Sequence, residues 1–133
     1  MGYVVEKCLS HLRRGMDLLK IKNARTVLGV EGAHPSLAHA MGVVDRVWRK
    51  VTGKHPVVTG LAEEGHSEGS KHYGIPGDTR CRAFDVRAVD LTPEERVEID
   101  NELHRRLGAN EFDVVWEALG TVNAHLHLEV DAK

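Results

Sequence analysis

Two histidines alternate with leucines near the end of the chain, in the segment HLHLEV at 125–130. In a β-strand, residues two apart point to the same face of the sheet, so His125 and His127 project together while Leu126 and Leu128 face the core. Imidazoles placed side by side can share a metal ion, a proton or solvent. Two polar residues on a half-exposed sheet would give the same pattern, so the pair alone leaves both interpretations open.

A carboxylate stands in the middle of a second strand-like segment, CRAFDVRAV at 81–89. Asp is depleted in strands, and Asp85 could simply pair with Arg87 on the surface. It could also join His72, which lies in the glycine- and serine-rich loop GHSEGSKHYG at 65–74. His72, Asp85 and one C-terminal histidine form a ligand set suited to catalytic Zn²⁺, which takes three protein ligands and keeps a fourth position for water.

Together these motifs resemble those of the zinc D-Ala-D-Ala carboxypeptidase-like peptidases. That family includes bacterial D,D-dipeptidases and carboxypeptidases, phage endolysins and the hedgehog signalling domain. Its signature is S-x-H, a short glycine-containing loop, A-x-D, and later H-x-H or E-x-x-H. The chain matches it with SKH at 70–72, AFD at 83–85 and HLH at 125–127. The resemblance covers residues 36–130, and residues 1–35 lie outside it.

The resemblance implies three zinc ligands, which are His72, Asp85 and His127. His125 would then be the neighbour that stabilises the transition state or moves protons, although the opposite assignment of the two C-terminal histidines stays open. Ser70 matches the family serine that supports the site or contacts the substrate.

The catalytic base departs from the family pattern. Many relatives carry a glutamate three residues before the ligand histidine, where this chain has Val122 or Ala124. The nearest upstream carboxylate is Glu117 on the preceding strand, and an antiparallel sheet could bring it to the metal site. The loop between His72 and Asp85 is also longer than in the usual motif, and loop closure tolerates such an insertion because its entropy grows slowly with length.

The substrate-binding cation departs from the pattern as well. The family's common arginine is not evident after Thr59-Gly60. Binding of a substrate carboxylate would need another cation, and the candidates are Lys71, Arg80, Arg82 and Arg87. Of these, we expect Arg82 to contact the substrate together with Ser70.

The resemblance implies a zinc-dependent peptidase of the D,D-carboxypeptidase or endopeptidase type, similar to phage lytic enzymes. Its substrates would be peptidoglycan stem peptides or small peptides. His125 or Glu117 would take the proton of a water molecule that zinc activates. The alternative is a non-catalytic, zinc-stabilised binding module of the hedgehog type, and a metal-free domain is a third. A base within reach of the open metal position would favour the peptidase.

The composition excludes several other classes. A chain of 133 residues can bury a core without disulfides, and Cys8 and Cys81 fit no metal or disulfide pattern. The net charge of -2 predicts no nucleic-acid partner, and no apolar run is long enough to predict a membrane span. Charged residues interrupt the N-terminal segment, so we expect synthesis in the cytoplasm without a signal peptide. The protein would then act on the cell wall only after release or delivery. We also expect a monomer.

Apolar periodicity predicts the elements that must position these residues. The expected helices cover 3–20 and 36–52, with a third that begins at the capping sequence TPEE (92–95) and stops near Gly108. The expected strands are 26–32, 56–60, 81–89, 112–118 and 124–130. This order predicts a single α+β domain over 1–133, with a small, mainly antiparallel sheet packed against helices and a fold similar to hedgehog domains and D,D-peptidases.

Overall fold

A computed structural model describes residues 20–21, 34–60, 71, 76, 80–108 and 110–131. In these ranges the chain forms, in order, β1 (Lys20–Ile21), α1 (Pro35–Thr52), β2 (Val57–Gly60), β3 (Ala83–Arg87), α2 (Pro93–Arg106), β4 (Phe112–Glu117) and β5 (His125–Val130). The predicted strand at 26–32 and nearly all of the predicted helix at 3–20 lie outside the described residues. Lys20, the last residue of that predicted helix, belongs to a strand instead.

Helix α1 has a defined start and end. The ring Nδ1 of His34 accepts a hydrogen bond from the backbone N–H of Ser36, and Pro35 occupies the first turn, where no N–H partner is needed. The helix stops at Gly53, whose φ of 74° is left-handed and whose N–H donates to the carbonyl oxygen of Arg49. The predicted bounds of this helix are therefore confirmed.

Helix α2 begins with the capping box that the sequence predicts. Thr92 Oγ1 accepts from the backbone N–H of Glu95, and the carboxylate of Glu95 accepts from the backbone N–H of Thr92. The helix buries Ile99 and Leu103, whereas Val97, another apolar residue of the helix, is half exposed. The apolar face that α2 turns to the core is thus narrow.

The strands form one sheet in the order β1-β2-β3-β5-β4. Strands β2 to β5 pair antiparallel, and the two residues of β1 pair parallel with β2. Both helices contribute to the apolar core on one face, together with Phe84, Leu126 and Leu128 from the sheet. The α+β class and the mainly antiparallel sheet packed against helices are confirmed, while the likeness to hedgehog and D,D-peptidase folds stays a prediction.

Strand β3 is shorter than the predicted 81–89. Strict alternation along 81–89 predicts Cys81 on the same face as Asp85, but Cys81 is fully buried in the apolar core. The reason is that the regular ladder begins only at Ala83, so alternation of side chains does not extend back to Cys81. From Phe84 onward the alternation holds, with Phe84 in the core and Asp85 on the opposite face.

No helix in the described ranges is both long enough and apolar enough to cross a membrane.

Candidate metal and catalytic site

The face of the sheet opposite the helices carries four of the predicted site residues, which are Asp85, Glu117, His125 and His127. Strand β5 lies between β3 and β4, so its outward side chains have neighbours on both sides. His127 pairs with Asp85 on β3, while His125 pairs with Arg87 on β3 and with Glu117 on β4. Directly paired residues have Cβ atoms about 4.5–5.5 Å apart, which is close enough for their polar ends to meet.

The ring of His127 is held from both sides by carboxylates. Its Nδ1 lies 2.8 Å from Oδ1 of Asp85, and its Nε2 lies 3.0 Å from Oε1 of Glu129. The side chains of His127 and Asp85 are only 16% and 15% exposed. The hydrogen bond with Asp85 raises the pKa of His127 against the opposing effect of burial, and Glu129 raises it further.

Glu117 lies between the two imidazoles. Its Oε1 is 3.5 Å from Nε2 of His125 and 3.8 Å from Nδ1 of His127. The Nδ1 of His125 lies 2.8 Å from the carbonyl oxygen of Asn123, which can only accept a hydrogen bond, so Nδ1 carries the proton and Nε2 faces Glu117. Glu117 is 47% exposed and therefore accessible to a substrate and to water. The Glu117 carboxylate and the Nε2 of His125 can therefore accept a proton and pass it on.

Glu129 connects this group of residues to a cation that was considered only as a substrate-binding candidate. Its second oxygen, Oε2, lies 2.5 Å from Nζ of Lys71. The hydrogen bond to Glu129 raises the pKa of Lys71. Burial acts to raise the pKa of Glu129, but hydrogen bonds from Lys71 and His127 hold it below its ordinary value. No feature of the sequence pairs positions 71 and 129, because the contact depends on the fold.

A glycine provides the space for Asp85. Gly60 pairs with Asp85 across β2 and β3, where the ladder register shifts between Val58 and Gly60. A Cβ at position 60 would lie 2.5 Å from Oδ2 of Asp85, so any larger residue would collide with the carboxylate. Glycine inside a strand often marks such a close approach, which is the one signal of this role in the sequence.

A cleft of about 220 Å³ opens beside the site. It is lined by Asp85 and His125 from the site and by Thr59, Arg87 and Asn123 around them. Arg87 is therefore a cation on the wall of this cleft. Arg82, the cation expected to contact the substrate, is buried, with 8% of its surface exposed, and its backbone N–H donates to the carbonyl oxygen of Lys71. Its predicted contact with the substrate stays a prediction.

Two of the expected site residues, Ser70 and His72, lie outside the described residues. Among the side chains in the described ranges, no three of the types His, Cys, Asp and Glu form a group that could hold a metal ion. The predicted ligand set includes His72, so it extends beyond these ranges. The described part of that set offers donor atoms of the types that zinc accepts, because a carboxylate oxygen and an imidazole nitrogen lie side by side and Gly60 leaves the space that this carboxylate occupies.

Comparison of the chain with models of protein families, with curated proteins and with solved structures found no match.

Proposed function

We propose that this chain is a zinc-dependent peptidase and that the polar face of β3, β4 and β5 is its active site. One observation carries the proposal. The carboxylate of Glu117 lies 3.5 Å from His125 and 3.8 Å from His127, beside the ligand pair of His127 and Asp85. A general base must lie within hydrogen-bond reach of the reacting water, and a carboxylate beside the ligand pair is the feature that favours a peptidase over a binding module.

Asp85, His127 and His72 would hold the zinc ion. The first two already lie together, and Lys71, which directly precedes His72 in the chain, is held against Glu129 at the edge of the same site. Zinc bound there would polarise the scissile carbonyl group and lower the pKa of a water molecule toward about 7.

The proton transfers belong to Glu117 and His125. Glu117 accepts a proton from the attacking water and returns it to the leaving amine. The carbonyl oxygen of Asn123 fixes the orientation of the His125 ring, so that Nε2 points toward Glu117. When protonated, His125 stabilises the negative charge that develops on the carbonyl oxygen.

The substrate class follows from the cleft and from the sequence motifs. Arg87 lies on the wall of the cleft, two residues after Asp85 on the same face of β3. A guanidinium binds a carboxylate through paired hydrogen bonds. The resemblance to D,D-peptidases favours peptidoglycan stem peptides as the source of that carboxylate, with cleavage of the D,D-carboxypeptidase or endopeptidase type.

Metal analysis tests the zinc site. Purified wild-type chain is offered Zn²⁺, desalted and measured by plasma emission, alongside four variants: His72→Ala, Asp85→Ala, His125→Ala and His127→Ala. We expect one zinc per chain in the wild type and in His125→Ala, and loss of zinc in the other three. Absence of zinc from the wild-type protein would overturn the proposal.

Hydrolysis of stem peptides separates the peptidase from the non-catalytic, zinc-stabilised binding module. Glu117→Gln removes the base and keeps the side-chain shape, so we expect zinc to be retained and the turnover rate to fall roughly 10²- to 10⁴-fold. Glu98→Gln, on the exposed surface of α2, is the matched control and should be fully active. A wild-type chain that binds zinc and cleaves none of a panel of stem peptides would support the binding module instead.

A further inference from the structure

An apolar groove adjoins the proposed active-site cleft beyond the ends of β3 and β4. Its volume is about 520 Å³, within the range of roughly 300–1,000 Å³ that is usual for ligand sites. Val122 and Ala124 line both this groove and the cleft that contains Asp85 and His125. The two cavities therefore meet at these residues, and a bound molecule can extend from one into the other.

The apolar groove exposes large aliphatic side chains to solvent. Val122 is 84% exposed, Leu119 is 45% exposed and Val89 is 40% exposed, and all three line the groove. Among the described residues they are three of the five large apolar side chains that are exposed. A single exposed apolar residue needs no explanation, whereas several gathered around one concavity indicate a binding surface.

The turn between β4 and β5, which presents Leu119 and Val122, is fixed by its own hydrogen bonds. Thr121 Oγ1 donates a hydrogen bond of 2.7 Å to the carbonyl oxygen of Ala118 and accepts one of 3.2 Å from the N–H of Asn123. Ala118 has a φ of 53°, a left-handed conformation that is uncommon for a residue with a side chain. Residues in such strained conformations are concentrated at ligand-binding sites.

A backbone hydrogen bond joins the two segments that form the groove. The N–H of Ala88, directly after β3, donates a hydrogen bond of 2.9 Å to the carbonyl oxygen of Ala124, directly before β5. Both alanines line the groove and both are buried, so small side chains form its floor. Among the described residues that line it, Arg96 is the only charged one. The groove thus offers aliphatic contacts and a positive charge.

The substrate of the cleft is the occupant that fits these features. Because Val122 belongs to both cavities, a second protein molecule docked on the groove would also cover one wall of the cleft. An extended peptide instead fills both cavities at once, with a carboxylate at Arg87 and an aliphatic side chain against Val122 and Leu119. The charges agree with this occupant, because Arg87 in the cleft and Arg96 in the groove favour an acidic peptide over a basic one.

We propose that the apolar groove is a subsite that binds an aliphatic side chain of the peptide substrate, and that Val122 and Leu119 determine this preference. The consequence for catalysis rests on the peptidase function proposed above. The groove itself needs no metal ion, so its binding of peptide can also be measured on the metal-free chain.

Steady-state kinetics on matched peptides test the subsite. Pairs of peptides carry valine or threonine at one position near the scissile bond, because these side chains are similar in shape and differ by a hydroxyl group. At the position that faces the groove, the wild type should cleave the valine peptide with a kcat/KM roughly 10-fold higher or more. The double variant Leu119→Asn/Val122→Thr should cleave the two peptides about equally.

Val97→Thr is the matched control for the double variant. Val97 is also a half-exposed valine, but it lies on α2 outside the groove, so its replacement should leave the preference for the valine peptide unchanged. A double variant that hydrolyses peptides and keeps the wild-type preference would overturn the subsite while leaving the proposed peptidase function intact.

Amide NMR of the metal-free chain gives a readout that needs neither zinc nor hydrolysis. Adding the valine peptide should shift the amide signals of Val89 and of residues 119–122, and the double variant should need roughly 10-fold more peptide for the same shift. A chain that binds no zinc but shows these shifts would support the groove and remove the proposed function.

Two outcomes of the same titration would overturn the subsite. One is a folded wild type whose groove signals do not move with the valine peptide. The other is a shift of these signals when the chain is concentrated without peptide, because a second copy of the chain would then cover the groove.

Discussion

Gly60 on β2 faces the carboxylate of Asp85 on β3 with no room for a side chain between them. A Cβ at position 60 would lie 2.5 Å from Oδ2 of Asp85 and 3.2 Å from its Cβ and Cγ. The absence of a side chain at one residue thus sets where the proposed carboxylate ligand can lie.

The change Gly60→Ala should therefore impair the proposed zinc site. The new methyl group would displace the Asp85 carboxylate from its place beside His127, so we expect zinc affinity to fall roughly 10- to 100-fold, comparable to the loss of a partner of a metal ligand. Chelator competition measures the affinity, and circular dichroism confirms the fold. Gly108→Ala is the control, because the nearest atom to its Cβ would be 4.0 Å away. Equal affinities for the two variants would contradict this role of Gly60.

The second prediction concerns Arg87 and the carboxylate of the substrate. Arg87→Met should raise KM roughly 10- to 100-fold for a peptide with a free carboxylate next to the scissile bond, because a hydrogen-bonded charge contributes about 1.5–3 kcal/mol. The turnover rate should change little, since Glu117 and His125 are retained. Steady-state kinetics measure both constants.

The same peptide with an amidated C-terminus is the matched control for Arg87→Met. A further peptide, with an amidated C-terminus and an acidic side chain on its last residue, tests whether Arg87 recognises a side-chain carboxylate as well as a terminal one. If the variant weakens binding of the amidated and the free peptide equally, Arg87 does not recognise the carboxylate.

The third prediction separates stability from function. Trp116 donates a hydrogen bond of 2.8 Å to Oδ1 of Asp100 and stacks on Trp48, with ring centroids 6.3 Å apart. These contacts lie on the helix side of the sheet. Trp116→Phe should lower the free energy of unfolding by about 1–3 kcal/mol, because the hydrogen bond to a charged acceptor is lost, and should leave zinc binding unchanged. Urea denaturation measures the loss.

Asp100→Asn keeps an acceptor oxygen for the Trp116 N–H and should destabilise the protein less than Trp116→Phe does. A folded Trp116→Phe protein that no longer binds zinc would show that the two faces of the sheet are coupled, contrary to this prediction.

The fourth prediction concerns stability in acid. Glu102 accepts hydrogen bonds from Arg105 and Arg106 and pairs with Lys50 on α1. The hydrogen bond from Arg105, opposed by burial and aided by Lys50, lowers the pKa of Glu102 from 4.5 to about 2. Because the folded pKa is the lower one, ionised Glu102 stabilises the fold fully above pH 4.5, and this contribution is lost as the pH falls toward about 2.

Urea denaturation of the wild type and of Glu102→Gln between pH 7 and pH 2 measures this contribution. The wild type should be the more stable protein above pH 4.5, and the difference should shrink as the pH is lowered. Glu98→Gln, one turn earlier on the exposed surface of α2, should follow the wild-type curve. A difference that stays constant down to pH 2 would show that the carboxylate charge is not responsible.

Local patterns predicted much of the fold. The bounds of α1, the capping box of Thr92 and Glu95, and the alternation of β5 were all predictable, because each depends on residues within a few positions of one another. The burial of Cys81 and the exposure of Val97 were not predictable in this way, because they depend on which elements pack against these residues, and the periodicity of a single segment does not contain that information.

The sequence by itself determined which chemical groups are available: two histidines on one face of a strand, an aspartate within another strand, and a glutamate on a third. Only the tertiary structure decided how they meet. It placed β5 between β3 and β4 in the register that sets Glu117 opposite His125, brought Gly60 against Asp85, and paired Lys71 with Glu129. Side-chain alternation is a property of a few consecutive peptide units, whereas strand order and register result from packing the whole apolar face against the helices.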